Sequence, residues 1–156
     1  MMSRKSLQDQ FAPNSICFGC GPANAQGLQI KSYPEGEWVV AEWMPSPHHQ
    51  AFPGMLNGGI IGSLLDCHAN WAATWHLMRK HGWDAPHGTV TASLNVEYLS
   101  PTPAAEKLRL RAKTVESTGR RATVEAELIS GEEVRARATG VFVAVKPGHP
   151  AYDRWS

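Results

Sequence analysis

One stretch governs what this chain can become. From Asn57 to about Lys80 there is no proline, and glycine is confined to the first six positions, as Gly58, Gly59 and Gly62. At about 100° per residue, Ile60, Ile61, Leu64, Leu65, His68, Trp71, Ala72 and Trp75 fall on one broad arc. The opposite arc carries Ser63, Asp66, Asn70 and Thr74, with the small Gly62 and Ala73 beside them. Asn57 suits an N-cap, because its side-chain oxygen can accept an orphan backbone N–H. Arg79, Lys80 and His81 crowd the far end, where cations favour the dipole, and Gly82 can stop the helix. The spacing predicts a long helix that needs something to bury its apolar arc.

The chain beyond the helix reads as strand. Gly88–Ser100, Lys107–Glu116, Arg121–Ser130 and Val134–Val145 are alternating runs separated by turn signals, so antiparallel hairpins between consecutive runs are expected. Glu37–Trp43 is a candidate first strand. Residues 44–56 hold three prolines and a glycine and read as a loop outside any ladder. The predicted class is α+β, with one antiparallel sheet curling around one helix. Residues 1–36 read as an irregular lead-in, 37–147 as a single domain, and 148–156 as a tail.

Length and composition narrow the function. At 156 residues one core is expected. Fifteen Lys+Arg against fourteen Asp+Glu leave a formal charge of +1, so there is no basic field for nucleic acid. No apolar run reaches the roughly 18 residues needed to span a bilayer. The N-terminus lacks the apolar core of a secretory signal, and three cysteines are too few for a disulfide scaffold, so a cytoplasmic setting is expected.

Chemistry concentrates at the helix start. Asn57-Gly58-Gly59 offers free N–H groups and a positive dipole end where an oxyanion can sit, and Asp66 lies on the polar arc as a possible base or nucleophile. If the sheet wraps the apolar arc, the polar arc must face solvent or another subunit. His48, His49 and Gln50 in the proline loop could contact substrate, although exposed loop histidines are the plainer reading. Thr91, Ser93 and Asn95 share one strand face, with Val90, Ala92, Leu94 and Val96 on the other. Lys107, Arg109, Arg111, Lys113, Arg135 and Arg137 form basic rows that Glu125 and Glu127 can pair across strands. Arg120 and Arg121, at a hairpin tip, are better candidates for phosphate. Cys17 and Cys20 make a C-x-x-C, but a closed zinc site needs four ligands, and Cys67, His68, His48 and His49 would have to be brought there by the fold. Two small buried thiols in a glycine-rich turn are the expectation, with no metal.

These segments, in this order, resemble the hotdog-fold acyl-CoA thioesterases, in the branch that includes phenylacetyl-CoA thioesterases and human thioesterase-superfamily members. CFGCGPANAQGL is similar to a segment that opens many members. FPGMLNGGIIGSLLDCHANWAA looks like their HGG loop and helix start, with an acidic residue nine positions after its first letter. TVTASLNVEYLSPTP looks like the next strand of the family. The resemblance implies a helix wrapped by a curved antiparallel sheet, and a homodimer or homotetramer with sites at the dimer interface. It implies hydrolysis of acyl-CoA to carboxylate and CoA, with coenzyme A entering only as part of the substrate and no cofactor. Asp66 matches the catalytic acid and Gly58 the glycine whose N–H polarises the carbonyl. Thr91 matches the residue that holds water, contributed by the neighbouring subunit. Asn57 stands where the family has His, and can donate to the carbonyl or leaving sulfur but cannot take a proton. Ala51 stands where some members have Asn, with Gln50 as a substitute. Gly59, His49, Gln50, Phe52, Asn70, Arg120 and Arg121 are the expected substrate contacts. Phe52, Trp71 and Trp75 could line an acyl tunnel or belong to the core. Two alternatives remain: a dehydratase or hydratase on acyl thioesters, which wants a His–acid pair, and a non-catalytic acyl-CoA-binding module.

Overall fold

A computed structural model of the chain describes residues 4–156, so residues 1–3 of the expected lead-in lie outside the described residues. Helix α1 (Leu7–Phe11) precedes strands β1 (Tyr33–Glu35) and β2 (Trp38–Trp43), a single 3-10 turn at Pro47–His49, and short strands β3 (Gln50–Phe52) and β4 (Met55–Leu56). Then come the long helix α2 (Gly58–His81) and strands β5 (Thr89–Tyr98), β6 (Leu108–Thr118), β7 (Arg121–Ser130) and β8 (Glu133–Ala144). Six strands form one antiparallel sheet in the order β1-β2-β6-β7-β8-β5, and β3 and β4 pair separately.

The ends of α2 are set by local chemistry. The Asn57 side chain accepts the Ile60 N–H at 3.1 Å. Gly82 stops the helix in the left-handed region (φ 67°), a conformation that glycine adopts without strain. The sheet curls around the helix because its inner face is built of small residues. Ala112, Ala122, Ala126, Ala136, Ala138 and Ala144 are all buried, with Leu108, Leu110, Val124, Leu128 and Phe142 between them. Leu64, Leu65, Trp71, Ala72 and Leu77 of α2 belong to the same core.

Three sequence expectations are corrected by the fold. First, the four strands after the helix do not all pair with their chain neighbours. β6, β7 and β8 form a meander, but β5 lies against β8 at the sheet edge, and β6 is flanked by β2. The β5–β6 connection runs through Pro101, Thr102 and Pro103 and packs on the β3–β4 hairpin, with Leu56 N–H donating to Thr102 C=O at 2.9 Å. Second, residues 44–56 are not all loop, since β3 and β4 form a ladder there. Their prolines sit outside the paired positions, so the ladder loses no donor. Third, the polar arc of α2 is not open along its whole length. Ala69 to Thr74 are six consecutive buried residues, Asn70 and Thr74 among them.

The lead-in and the tail supply that second cover. Leu7, Ala12, Cys20, Leu28, Ile30 and Trp155 are buried in the core cluster. The Trp71 and Trp155 rings lie 4.7 Å apart, and Trp71 Nε1 donates to Cys20 Sγ at 3.4 Å. His68 is fully buried and ties three segments together. Its Nδ1 lies 2.8 Å from Ser32 Oγ and its Nε2 lies 2.8 Å from the Val39 carbonyl, so Nε2 carries the proton. Burial holds this imidazole down at about 4, so it is neutral at pH 7. Among the described residues no helix is long and apolar enough to cross a membrane.

The outer face of the sheet carries the expected ion pairs in part. Arg111 meets Glu127 at 2.8 Å, in register across β6 and β7. Arg137 instead finds Glu97 of β5 at 3.2 Å, and Lys107 finds Glu42 of β2 at 3.2 Å.

Candidate active site

Strand β5 carries the register that builds the site. Its pairing with β8 slips between Thr91 and Ser93: Thr91 lies opposite Phe142, and Ser93 lies opposite Val141. Ala92 is the extra residue of a β-bulge. Opposed residues share a face, and Phe142 points into the core. Thr89, Thr91, Leu94, Val96 and Tyr98 therefore face α2, while Ser93 and Asn95 face away. The sequence expectation that Thr91, Ser93 and Asn95 share one face is corrected by that single inserted residue.

The inner face of β5 then runs antiparallel along α2. Thr89 meets the helix at Asn70 and Thr74. The Asn70 amide donates to Thr89 C=O at 3.1 Å, and the Thr74 hydroxyl lies 3.1 Å from Thr89 Oγ1. Thr91 Oγ1 donates to Asp66 Oδ1 at 2.8 Å. Tyr98 Oη donates to the Gly58 carbonyl at 2.8 Å, fixing the first turn of the helix. The Thr91 that reaches Asp66 belongs to the same chain.

Asp66 is half-buried. Desolvation pushes its carboxyl above the ordinary range. The Thr91 hydrogen bond opposes that shift, the Cys17 sulfur adds to it, and Arg154 works against it. At the helix start, the Gly58 and Gly59 N–H groups precede the first intrahelical hydrogen bond and sit at the positive end of the dipole. Asn57 Oδ1 is occupied by Ile60, which leaves its amide N–H groups as donors. Gly58 and Asp66 are eight residues apart on one helix, ~12 Å along its axis at ~1.5 Å per residue.

The remaining expected contacts take up varied positions. Gly59 and Phe52 are exposed. His49 braces its own loop: its Nδ1 accepts the Ser46 N–H at 2.9 Å, and its carbonyl accepts the Asn57 N–H at 2.9 Å. Gln50 closes the β3–β4 turn, donating to Pro47 C=O and accepting from Gly54 N–H. Asn70 is buried on Thr89, away from solvent. Arg120 is held by the Ala144 and Val145 carbonyls and by His87 Nδ1, over the Trp83 ring. Arg121 is exposed beside Lys146 and His149, in a cleft of about 690 Å³. A second cleft, of about 420 Å³, lies between Trp75, Arg79 and Lys113. Neither cleft is lined by Asp66 or Gly58.

Two features escaped the sequence. Thr91 joins the face of Leu94, Val96 and Tyr98 only once the bulge is counted, and no residue type in β5 marks the bulge. The other is a sulfur cluster. Cys67, next to Asp66, lies with its sulfur 3.6 Å from that of Cys17, and the sulfurs of Cys17, Cys20 and Cys67 all fall within 4.8 Å of one another. Here the fold brings a third cysteine to the C-x-x-C.

A curved antiparallel sheet around one long central helix defines the hotdog architecture. Comparison with known proteins agrees. The model of the thioesterase superfamily matches residues 53–136. The crystal structure of a thioesterase superfamily protein from Shewanella loihica PV-4 is 36% identical, with a TM-score of 0.66, over 80% of this chain and 98% of that one. The PaaI protein of the E. coli phenylacetic acid degradation operon shares the fold at 16% identity and a TM-score of 0.65, over 80% of this chain and 85% of that one. Acyl-coenzyme A thioesterase THEM4 of Rattus norvegicus is 27% identical over 115 residues, 72% of this chain and 45% of that protein. The chain thus spans less than half the length of that curated relative. It belongs to the thioesterase superfamily, an enzyme family of thioester hydrolases.

Proposed function

We propose that this chain hydrolyses acyl-CoA thioesters, with Asp66 as the base or nucleophile. The observation that carries the reading is the 2.8 Å hydrogen bond from Thr91 to Asp66. It leaves the second carboxylate oxygen to take a proton from water or to attack the carbonyl carbon. In the first route, water adds to the thioester carbon as Asp66 takes its proton. The carbonyl becomes an oxyanion, and the C–S bond breaks to release CoA thiolate and the carboxylic acid. The Gly58 N–H and the helix dipole stabilise that oxyanion, and the Asn57 amide donates to the carbonyl or the departing sulfur. No metal or redox cofactor is required at the reacting carbonyl.

The working unit is a dimer. One helix cannot bring Gly58 and Asp66 to the same carbonyl, because ~12 Å of helix separates them. Two copies with antiparallel helices can, each site taking Gly58 from one chain and Asp66 with Thr91 from the other. The ten-residue edge strand β5 supports this, since an uncovered edge of that length invites pairing with a second chain.

The test is release of free thiol from a panel of short, long and aromatic acyl-CoAs, beside Asp66→Asn. Asp66→Asn should lower kcat by roughly 10²–10⁴-fold while leaving the fold and the dimer intact. Near-wild-type turnover by that variant would remove Asp66 from the chemistry. Tight binding without thiol release across the panel would sink hydrolysis itself.

A further inference from the structure

We propose that Cys17, Cys20 and Cys67 form a three-thiolate site for a soft divalent cation, zinc by chemical class, which clips the N-terminal segment to α2. The site adjoins Asp66 through Cys67, but no cysteine takes part in the proposed reaction and the inference does not depend on it.

Three observations carry it. The first is spacing. A tetrahedral zinc site with Zn–S near ~2.3 Å has sulfur–sulfur edges of ~3.8 Å. Cys17 Sγ and Cys67 Sγ are 3.6 Å apart, and no pair in the trio exceeds 4.8 Å. All three cysteines are free, and a disulfide would need a separation of ~2.05 Å.

The second is the backbone. The Cys17–Gly21 turn closes with Gly21 N–H donating to Cys17 C=O at 2.8 Å, and Trp71 Nε1 donates to Cys20 Sγ at 3.4 Å. An N–H donor on a ligand sulfur is the kind of outer contact that orients a metal ligand.

The third is space. A side chain at Gly19 would run into the Cys67 sulfur, and one at Gly21 would run into the backbone at Ser15 and Cys17. Both glycines of Cys-Phe-Gly-Cys-Gly are thus required to bring the turn down onto α2 at Cys67. Cys20 is buried, whereas Cys17 and Cys67 are partly open to solvent. Three ligands leave the fourth tetrahedral position on that open side, for water or an external thiolate.

The experiment counts metal and does not use turnover. Protein purified under reducing conditions without chelator is analysed by inductively coupled plasma mass spectrometry, and metal-stripped protein is titrated with cobalt(II). The proposal expects about one zinc per chain, and cobalt spectra with a thiolate charge-transfer band and the strong visible bands of tetrahedral coordination. Cys17→Ser and Cys67→Ser should each lower metal affinity by tenfold or more, with folding checked by circular dichroism. If those variants fail to fold, the cobalt spectrum of the wild-type protein decides alone. Absence of both stoichiometric metal and thiolate–cobalt bands in the wild type overturns the proposal. So does a Cys67→Ser protein that keeps its full metal content, or a Cys17–Cys67 disulfide in the freshly purified chain.

Discussion

The two halves of α2 differ in what covers them. From Ala69 to Thr74 every residue is buried, with the sheet on one side and Cys20 and Trp155 on the other. From Asn57 to Asp66 the helix alternates between buried Ile61, Leu64 and Leu65 and half-open Gly58, Ile60, Gly62, Ser63 and Asp66. The same helix thus serves as a core element at one end and as an accessible ledge at the other. Strand β5 shows the same division. Its Thr89 end is buried against Asn70 and Thr74, and its Tyr98 end lies exposed over Gly58. The candidate reactive groups lie where burial is incomplete, as the proposed reaction requires, since substrate would have to reach Asp66 and the Gly58 N–H. Rigidity gathers where burial is complete, because close-packed interiors allow few alternatives.

Substitutions can break this division at graded strengths. The largest effect on stability belongs to the covered half. Trp71→Ala removes a fully buried indole that packs at a tilt against Trp155 and donates to Cys20, and should destabilise the protein by ~3–5 kcal/mol. Urea unfolding should show that loss, while the surviving folded fraction keeps its turnover per site. An equal fall in specific activity at full folding would mean that the two halves are not separable.

A smaller effect, of the opposite kind, is expected on the open half. Thr91→Ala removes the donor to Asp66 at an exposed position. Hydrogen bonds to charged groups contribute ~1.5–3 kcal/mol, so kcat/KM for thioester hydrolysis should drop by roughly ten- to a hundredfold. The unfolding midpoint should barely move. A stability loss as large as that of Trp71→Ala would place Thr91 among the structural residues.

The smallest change sharpens the boundary. Tyr98→Phe keeps the ring over Gly58 and deletes only the hydroxyl on its carbonyl. One exposed neutral hydrogen bond is worth ~0.5–1.5 kcal/mol, so kcat should fall no more than about tenfold. Unchanged kcat and KM would show that the first turn of α2 is held by the Asn57 cap alone.

Much of this fold was legible in the chain. The absence of proline, the apolar period and the Asn57 and Gly82 signals located α2; β5 and β7 fell within their expected runs, and β6 and β8 overran theirs by two residues and one. Pairing and phase escaped. Nothing local in β5 distinguishes β8 from β6 as its partner, because strand pairing depends on which edge is free after the meander closes. The bulge at Ala92 escaped for a related reason. It alters the face of each later residue in the strand without altering the alternation of residue types by more than one step. Asn70 read as a polar-arc residue because periodicity reports a face, and the group packed against that face is contributed by Thr89 of β5.

The sequence by itself determined the long helix, the strands that follow it and the chemistry available at the helix start: a capped glycine-rich N-terminus with an acid eight residues after Gly58. Helix capping, dipole and periodicity are local, so the linear order of residues contains them. Only the tertiary structure decided that Thr91 meets Asp66, that Tyr98 meets Gly58, and that Cys67 joins Cys17 and Cys20. Each of these pairs joins segments at least 25 residues apart. Their meeting depends on sheet order, on one inserted residue in a strand, and on a lead-in folded back over the helix. These are properties of how the whole chain buries its apolar surface.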